Sequence, residues 1–150
     1  MSDVSEAAPR HTLDSLQAAG WEPFEKTGFI GLIGPLLFKT ENGKTTYGFL
    51  ADEKHENRRG VIHGGMLAAF CDRALGAAAR STKEGLSVAT IELGIHYVSA
   101  ANVGELIEAD CEVVRMTRSL AFMRGTLRAG DRVVATAEGL WKILTPKDAA

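Results

Sequence analysis

Residues 64–80 carry the one long helical pattern of the chain: Met66, Leu67, Phe70, Ala74, Ala77 and Ala78 recur three or four positions apart. The stretch is rich in small residues, notably Ala68, Ala69, Gly76 and Ala79, so the pattern predicts a central helix packed closely on several faces. Downstream the period changes to two, and strands are predicted over 88–100, 105–115, 120–129 and 133–144. In the second of these, Glu108, Asp110 and Glu112 alternate with Ile107, Ala109, Cys111 and Val113, which gives one wet and one buried face. In the third, Arg124, Thr126 and Arg128 alternate with Met123, Gly125 and Leu127, so acidic and basic rows can pair across neighbouring strands.

Upstream of the helix, two strands are predicted between Gly28 and Ala51, joined at Asn42-Gly43, a strong hairpin signal. Pro35 and nearby glycines make the first half of that segment irregular. Thr12 is placed to cap a short helix with Leu13, Leu16 and Trp21 on its buried side, ending near Gly20. Residues 1–10 and 146–150 read as tails around one domain over 11–145. The order is a short helix, two strands, a long helix and four strands, the last of them joined as a meander. One helix cannot cover such a sheet or remove its edges, so pairing of two chains edge to edge is expected.

Composition narrows the function classes. At 150 residues, with 45% hydrophobic and 24% charged residues, the chain has the make-up of an ordinary globule. A net charge of −2 gives no general reason for nucleic-acid or membrane partners. Its acidic start, MSDVSEAAPR, does not read as a secretory signal. Cys71 and Cys111 sit in apolar patterns and are expected to be free thiols in a reducing, cytoplasmic setting. Histidines and cysteines lack metal-ligand spacing, and no metal is expected.

The chemistry gathers in His55-Glu56-Asn57-Arg58-Arg59-Gly60-Val61-Ile62-His63-Gly64-Gly65, followed by Asp72. A helix start offers unpaired N–H groups at the positive end of its dipole. Glycines there admit a substrate oxygen to close range, and a lone carboxylate two turns on supplies a base. The combination points to chemistry on a carbonyl.

The set Asn57, Gly60, His63-Gly64-Gly65, Asp72 and Ala74, with Thr90-Ile91-Glu92-Leu93 leading to His96-Tyr97 and with Gly104-Glu105, resembles the signature of the hotdog-fold acyl-CoA thioesterases. The phenylacetate-pathway (PaaI-type) and 4-hydroxybenzoyl-CoA thioesterase branch is the nearest. The resemblance covers roughly residues 27–145. It implies an α+β hotdog fold, a long antiparallel sheet wrapped around one central helix, and two chains sharing two active sites. It also implies hydrolysis of an acyl-CoA thioester without a cofactor, coenzyme A being part of the substrate. A dimer of dimers is common in that branch.

In the reading that follows, the N–H groups of Gly64 and Gly65 face the thioester oxygen, with Gly64 the main donor by resemblance. Such a donor is worth about 3 kcal/mol of transition-state stabilisation. Asp72 either activates water or attacks the carbonyl; the alternative is a surface acid paired with Arg73. Asn57 orients water or thioester, or else only turns the loop. Thr90 holds water beside Asp72, or is an ordinary strand threonine. His63 shapes the helix start or moves a proton, whereas His55 and His96 read as structural. Arg115-Met116-Thr117-Arg118-Ser119 is a basic turn suited to the phosphates of coenzyme A, as are Arg58 and Arg59, unless these are simply solvated. Trp21, Phe24 and Phe29 line an acyl pocket or the core. Eight residues separate Gly64 from Asp72, about 12 Å along a helix. By resemblance, Asn57 and Gly64 of one chain therefore serve Asp72 and Thr90 of the other. The alternatives are a hydratase or dehydratase on the same fold and a non-catalytic acyl-CoA binding protein.

Overall fold

In the computed structural model, which describes residues 8–148, the small-residue helix spans Gly64–Arg80, the limits its apolar period predicts. Two shorter helices precede it, α1 (Leu13–Ala18) and α2 (Gly28–Ile33), which makes the long one α3. The strands are β1 (Glu22–Phe24), β2 (Leu36–Glu41), β3 (Lys44–Leu50), β4 (Val88–Tyr97), β5 (Leu106–Met116), β6 (Leu120–Ala129) and β7 (Arg132–Ile143). They form one seven-stranded sheet in the order β1-β2-β3-β5-β6-β7-β4, and every neighbouring pair is antiparallel. This is the hotdog arrangement, a long sheet curled around a helix.

The inner face of the sheet and one face of α3 make the core. Phe70 and Leu75 of α3 meet Phe49, Met123, Leu127 and Trp141, all fully buried. Burying a side chain such as Phe70 is worth roughly 2–3 kcal/mol. The helix sits low on β6 because Gly125 has no side chain: a Cβ there would lie 3.0 Å from Leu75 Cδ2. On the outer face the charged rows pair as their alternation predicts, Arg124 with Glu112 at 3.8 Å and Arg128 with Asp110 at 3.3 Å. The Asn42-Gly43 turn joins β2 to β3 with φ of 51° and 77°, the positive pair a tight hairpin turn requires.

Three expectations change. The irregular first half of 28–51 is the helix α2, with Ile30 and Ile33 packed on the core and Phe29 and Leu32 exposed. A short unbroken apolar run does not tell helix from strand by period alone. Leu13 of α1 faces solvent, and Leu16 alone is buried on that helix; Thr12 and Ser15 form its capping box. The last three strands form the expected meander, β5–β6–β7. β4 crosses to the far edge beside β7, and the return segment is held where Ile62 N–H donates to the Ala101 carbonyl at 2.9 Å. Finally, α3 is not packed on all sides: Ala68, Ala69, Asp72 and Arg73 form a half-exposed stripe, with Gly65 exposed at its start.

Residues 1–7 of the expected N-terminal tail, and 149–150 of the C-terminal one, lie outside the described residues. The described parts of both tails are attached. Arg10 bridges to Glu105, and His11 N–H donates to the Gly104 carbonyl at 2.8 Å. Asp148 accepts from Thr145 N–H and Oγ1, each at 2.9 Å. Among the described residues no helix is long and apolar enough to cross a membrane.

Candidate active site

The polar loop before α3 is built on its own side chains. Asp52 caps a single 3₁₀ turn at Glu53–His55. His55 is buried there, its Nδ1 accepting from Asp52 N–H at 3.0 Å and its Nε2 bonded to the Ile33 carbonyl at 2.6 Å. A carbonyl only accepts, so Nε2 carries the proton. Burial pushes the imidazole pKa below its ordinary value. His55 is therefore structural, as the sequence predicts, and it clamps the end of α2 to the loop.

Two residues on, Asn57 Oδ1 accepts from Arg59 N–H at 2.8 Å, and Asn57 N–H donates to the Val61 carbonyl at 2.8 Å. The side-chain oxygen thus makes the turn. The Nδ2 amide makes no hydrogen bond among the described residues, so Asn57 serves the loop and keeps a donor to offer.

At the start of α3 each of the first four N–H groups can be accounted for. Leu67 and Met66 donate to the His63 carbonyl at 3.3 and 2.9 Å. Gly65 donates to His63 Nδ1 at 2.8 Å, so His63 is the N-cap. Gly64 N–H has no partner among the described residues. The two glycines are therefore not equivalent: the Gly65 amide is occupied, and the Gly64 amide is the free donor at the positive end of the helix.

Two turns along, Asp72 lies on the half-exposed stripe of α3, and Thr90 Oγ1 of β4 donates to its Oδ1 at 2.6 Å. The neighbouring Arg73 does not pair with it. That guanidinium bonds Glu25 and lies over the Phe24 ring, 5.1 Å from its centroid. One oxygen of Asp72 is thus held by a hydroxyl, and the carboxylate is free of any ion pair among the described residues. A carboxylate oriented in this way can take a proton from water, and a free N–H at a helix start can bind a developing oxyanion.

The family profile of the thioesterase superfamily matches residues 59–136. That stretch holds the helix start, Asp72 and Thr90. The chain belongs to the thioesterase superfamily. A Pseudomonas aeruginosa protein carrying an esterase name is 30% identical to this thioesterase over 127 residues, 83% of this chain and 95% of its own. Human acyl-coenzyme A thioesterase 13 is 31% identical over 86 residues, covering 57% of this chain and 61% of that one. Among solved structures, a Bacillus halodurans protein determined with CoA superposes with a TM-score of 0.64 at 26% identity, over 71% of each chain. The chain is accordingly a thioester hydrolase with the hotdog fold.

Gly64 and Asp72 both lie half-exposed on α3. A cleft of about 450 Å³ lies behind the loop, among Thr12, Asp14, Pro35, Asp52 and His55, and touches neither Gly64 nor Asp72. Arg58, Arg59, Arg115 and Arg118 are exposed, and none forms an ion pair among the described residues. Thr117 makes the β5–β6 turn itself: its Oγ1 accepts from Leu120 N–H at 2.9 Å and from Ser119 N–H at 3.3 Å. Trp21 is core and Phe24 supports Arg73, whereas Phe29 is 63% exposed. No cluster of three or more metal-ligating side chains occurs among the described residues.

Sequence reasoning passed over the role of Tyr97. At the end of β4 its hydroxyl donates to the Gly64 carbonyl at 2.9 Å. The only local signal is a tyrosine closing an alternating strand. Its meeting with Gly64 depends on β4 lying alongside α3 at the sheet edge.

Proposed function

We propose that this thioesterase hydrolyses acyl-CoA, with Gly64 N–H as the oxyanion donor and Asp72, held by Thr90, as the base that activates water. The observation that carries this reading is the pair of prepared groups on α3: a helix-start amide without a partner and a carboxylate fixed by a hydroxyl at 2.6 Å. The carbonyl oxygen takes the Gly64 N–H, and Asp72 draws a proton from water as it attacks. The tetrahedral intermediate then expels coenzyme A as a thiolate. Its thiol pKa of about 8.5 makes that departure easy, so no strong general acid is required. Asn57 Nδ2 orients the thioester or the water. The reaction calls on no metal or cofactor.

The two prepared groups are roughly 12 Å apart along one helix, too far to share one carbonyl. The fold supports assembly of the site from two chains. Two hydrogen bonds tie α3 to β4 in antiparallel order, Gly64 to Tyr97 and Asp72 to Thr90. β4 is an edge strand with Ile91 and Tyr97 exposed, and Val98 is exposed just past its end. Antiparallel pairing of β4 with a second copy, about a two-fold near Leu93–Gly94, sets Thr90 of one chain opposite Tyr97 of the other. The Asp72 half-site then faces the Gly64 half-site across a self-complementary interface. Two such dimers assemble into the tetramer. Arg58, Arg59, Arg115 and Arg118 are proposed to meet the phosphates of coenzyme A, where guanidinium forks bond phosphate in pairs. The reading is of a cytoplasmic enzyme.

Asp72→Asn tests it. With short, medium and aromatic acyl-CoA compounds, the variant is expected to lose thiol release by about 10²–10⁴-fold while remaining folded, the usual range for loss of a positioned base. Full turnover by the variant refutes the assignment of Asp72.

A further inference from the structure

The Gly64–Gly65 peptide unit is held at both ends. Its carbonyl accepts from Tyr97 O–H at 2.9 Å, and its N–H donates to His63 Nδ1 at 2.8 Å. The Tyr97 ring also lies close against the glycine. A Cβ on Gly64 would come within 3.2 Å of Tyr97 Cζ and 3.3 Å of Cε1. The ring thus occupies the space that a side chain at position 64 would fill.

Glycine allows close approach of a substrate oxygen but leaves its backbone soft. An oxyanion donor works in the opposite regime, because its worth lies in being aimed before charge develops. Some other group has to supply the stiffness that a Cβ normally gives. His63 N–H, bonded to the His55 carbonyl at 2.7 Å, fixes the chain on the upstream side. Downstream, Tyr97 is the group in place.

We propose that Tyr97 is a positioning residue of this thioesterase: through the Gly64–Gly65 peptide it aims the Gly64 N–H and holds His63 in its Nε2–H tautomer. The proposal rests on the reading of Gly64 as the oxyanion donor. An amide whose carbonyl accepts a hydrogen bond is polarised and becomes a stronger N–H donor. Tyr97 therefore strengthens the bond from Gly65 to His63 Nδ1. With Nδ1 accepting, the neutral imidazole carries its proton on Nε2, and in the exposed His63 that N–H has no partner among the described residues. Two adjacent donors, Gly64 N–H and His63 Nε2–H, are set by one tyrosine from the edge strand. The site gains rigidity without narrowing the approach to the glycine.

Tyr97→Phe in the full-length enzyme keeps the ring and removes the donor. It is expected to lower kcat about tenfold, the weight of one oriented hydrogen bond, and to change KM by less than about twofold. Nitrogen-15 spectra of the His63 imidazole should move from the Nε2–H form to a mixture of tautomers. Hydrogen exchange at the Gly65 amide should accelerate. A merely structural tyrosine would move none of these at unchanged melting temperature. Unchanged kcat overturns the proposal, and so does a fall in kcat with both the imidazole spectrum and Gly65 exchange unaltered. If the wild-type enzyme releases no thiol from acyl-CoA, the functional reading fails, but the spectra and exchange rates still decide whether Tyr97 sets this peptide.

Discussion

At Cys71 and Cys111 burial removes each thiol from water and pushes its pKa up to about 12. The negative charge of Asp72 adds to the rise at Cys71 and that of Asp110 at Cys111. Thiolate is the reactive form, so at about pH 8 neither cysteine should be carboxymethylated in the native protein, whereas the urea-unfolded chain should take two labels by mass spectrometry. The residues of the site divide in a similar way between what is local and what is not. Asn57, His63, Gly64 and Asp72 are legible as candidates because loop, helix start and small-residue helix each favour a few residue types, and Thr90 through the family resemblance. Their division of labour is less so. Gly64 and Gly65 look alike in sequence, and only the His63 ring, turned onto the Gly65 amide, leaves Gly64 as the free donor. Tyr97 joins the set through a contact between residues 33 positions apart.

Among the elements, α3 and the Asn-Gly hairpin are readable almost to the residue, since period and turn chemistry act within a few positions. The placement of β4 and the helical state of α2 are not. The first depends on a crossover around β7, and the second on Ile30 and Ile33 finding the core. α2 is also where one histidine bears weight. His55 Nε2 bonds the Ile33 carbonyl, and burial keeps the ring neutral to lower pH than in the unfolded chain. The unfolded imidazole takes up its proton at about pH 6.5. Below that point the unfolded state binds more protons, so stability is lost as pH falls through the depressed native value. The melting temperature of the wild type should therefore drop between about pH 7 and pH 5.5. His55→Asn should begin lower and show a flatter slope over that range.

For the whole molecule, a site shared between chains makes a distinctive prediction. Asp72→Asn should be nearly inactive and Gly64→Ala weakened, the second because its new Cβ crowds the Tyr97 ring at 3.2 Å and shifts the amide. Co-expressed, they should exceed the mean of the two parents, with intact sites contributing about a quarter of wild-type activity, because half the dimers are mixed and each mixed dimer holds one intact site. Assay of the purified mixture checks this, and no excess over that mean would place the site within one chain. The strand proposed to complete the site is a hazard while it is unpaired. An unpaired edge offers a row of free backbone groups to any passing strand, a template for aggregation in a newly made chain. β4 breaks that row near its start, where its register against β7 slips between Thr90 and Glu92 and Ile91 bulges outward. Straightening this kink should yield a chain that clumps before it finds its mate.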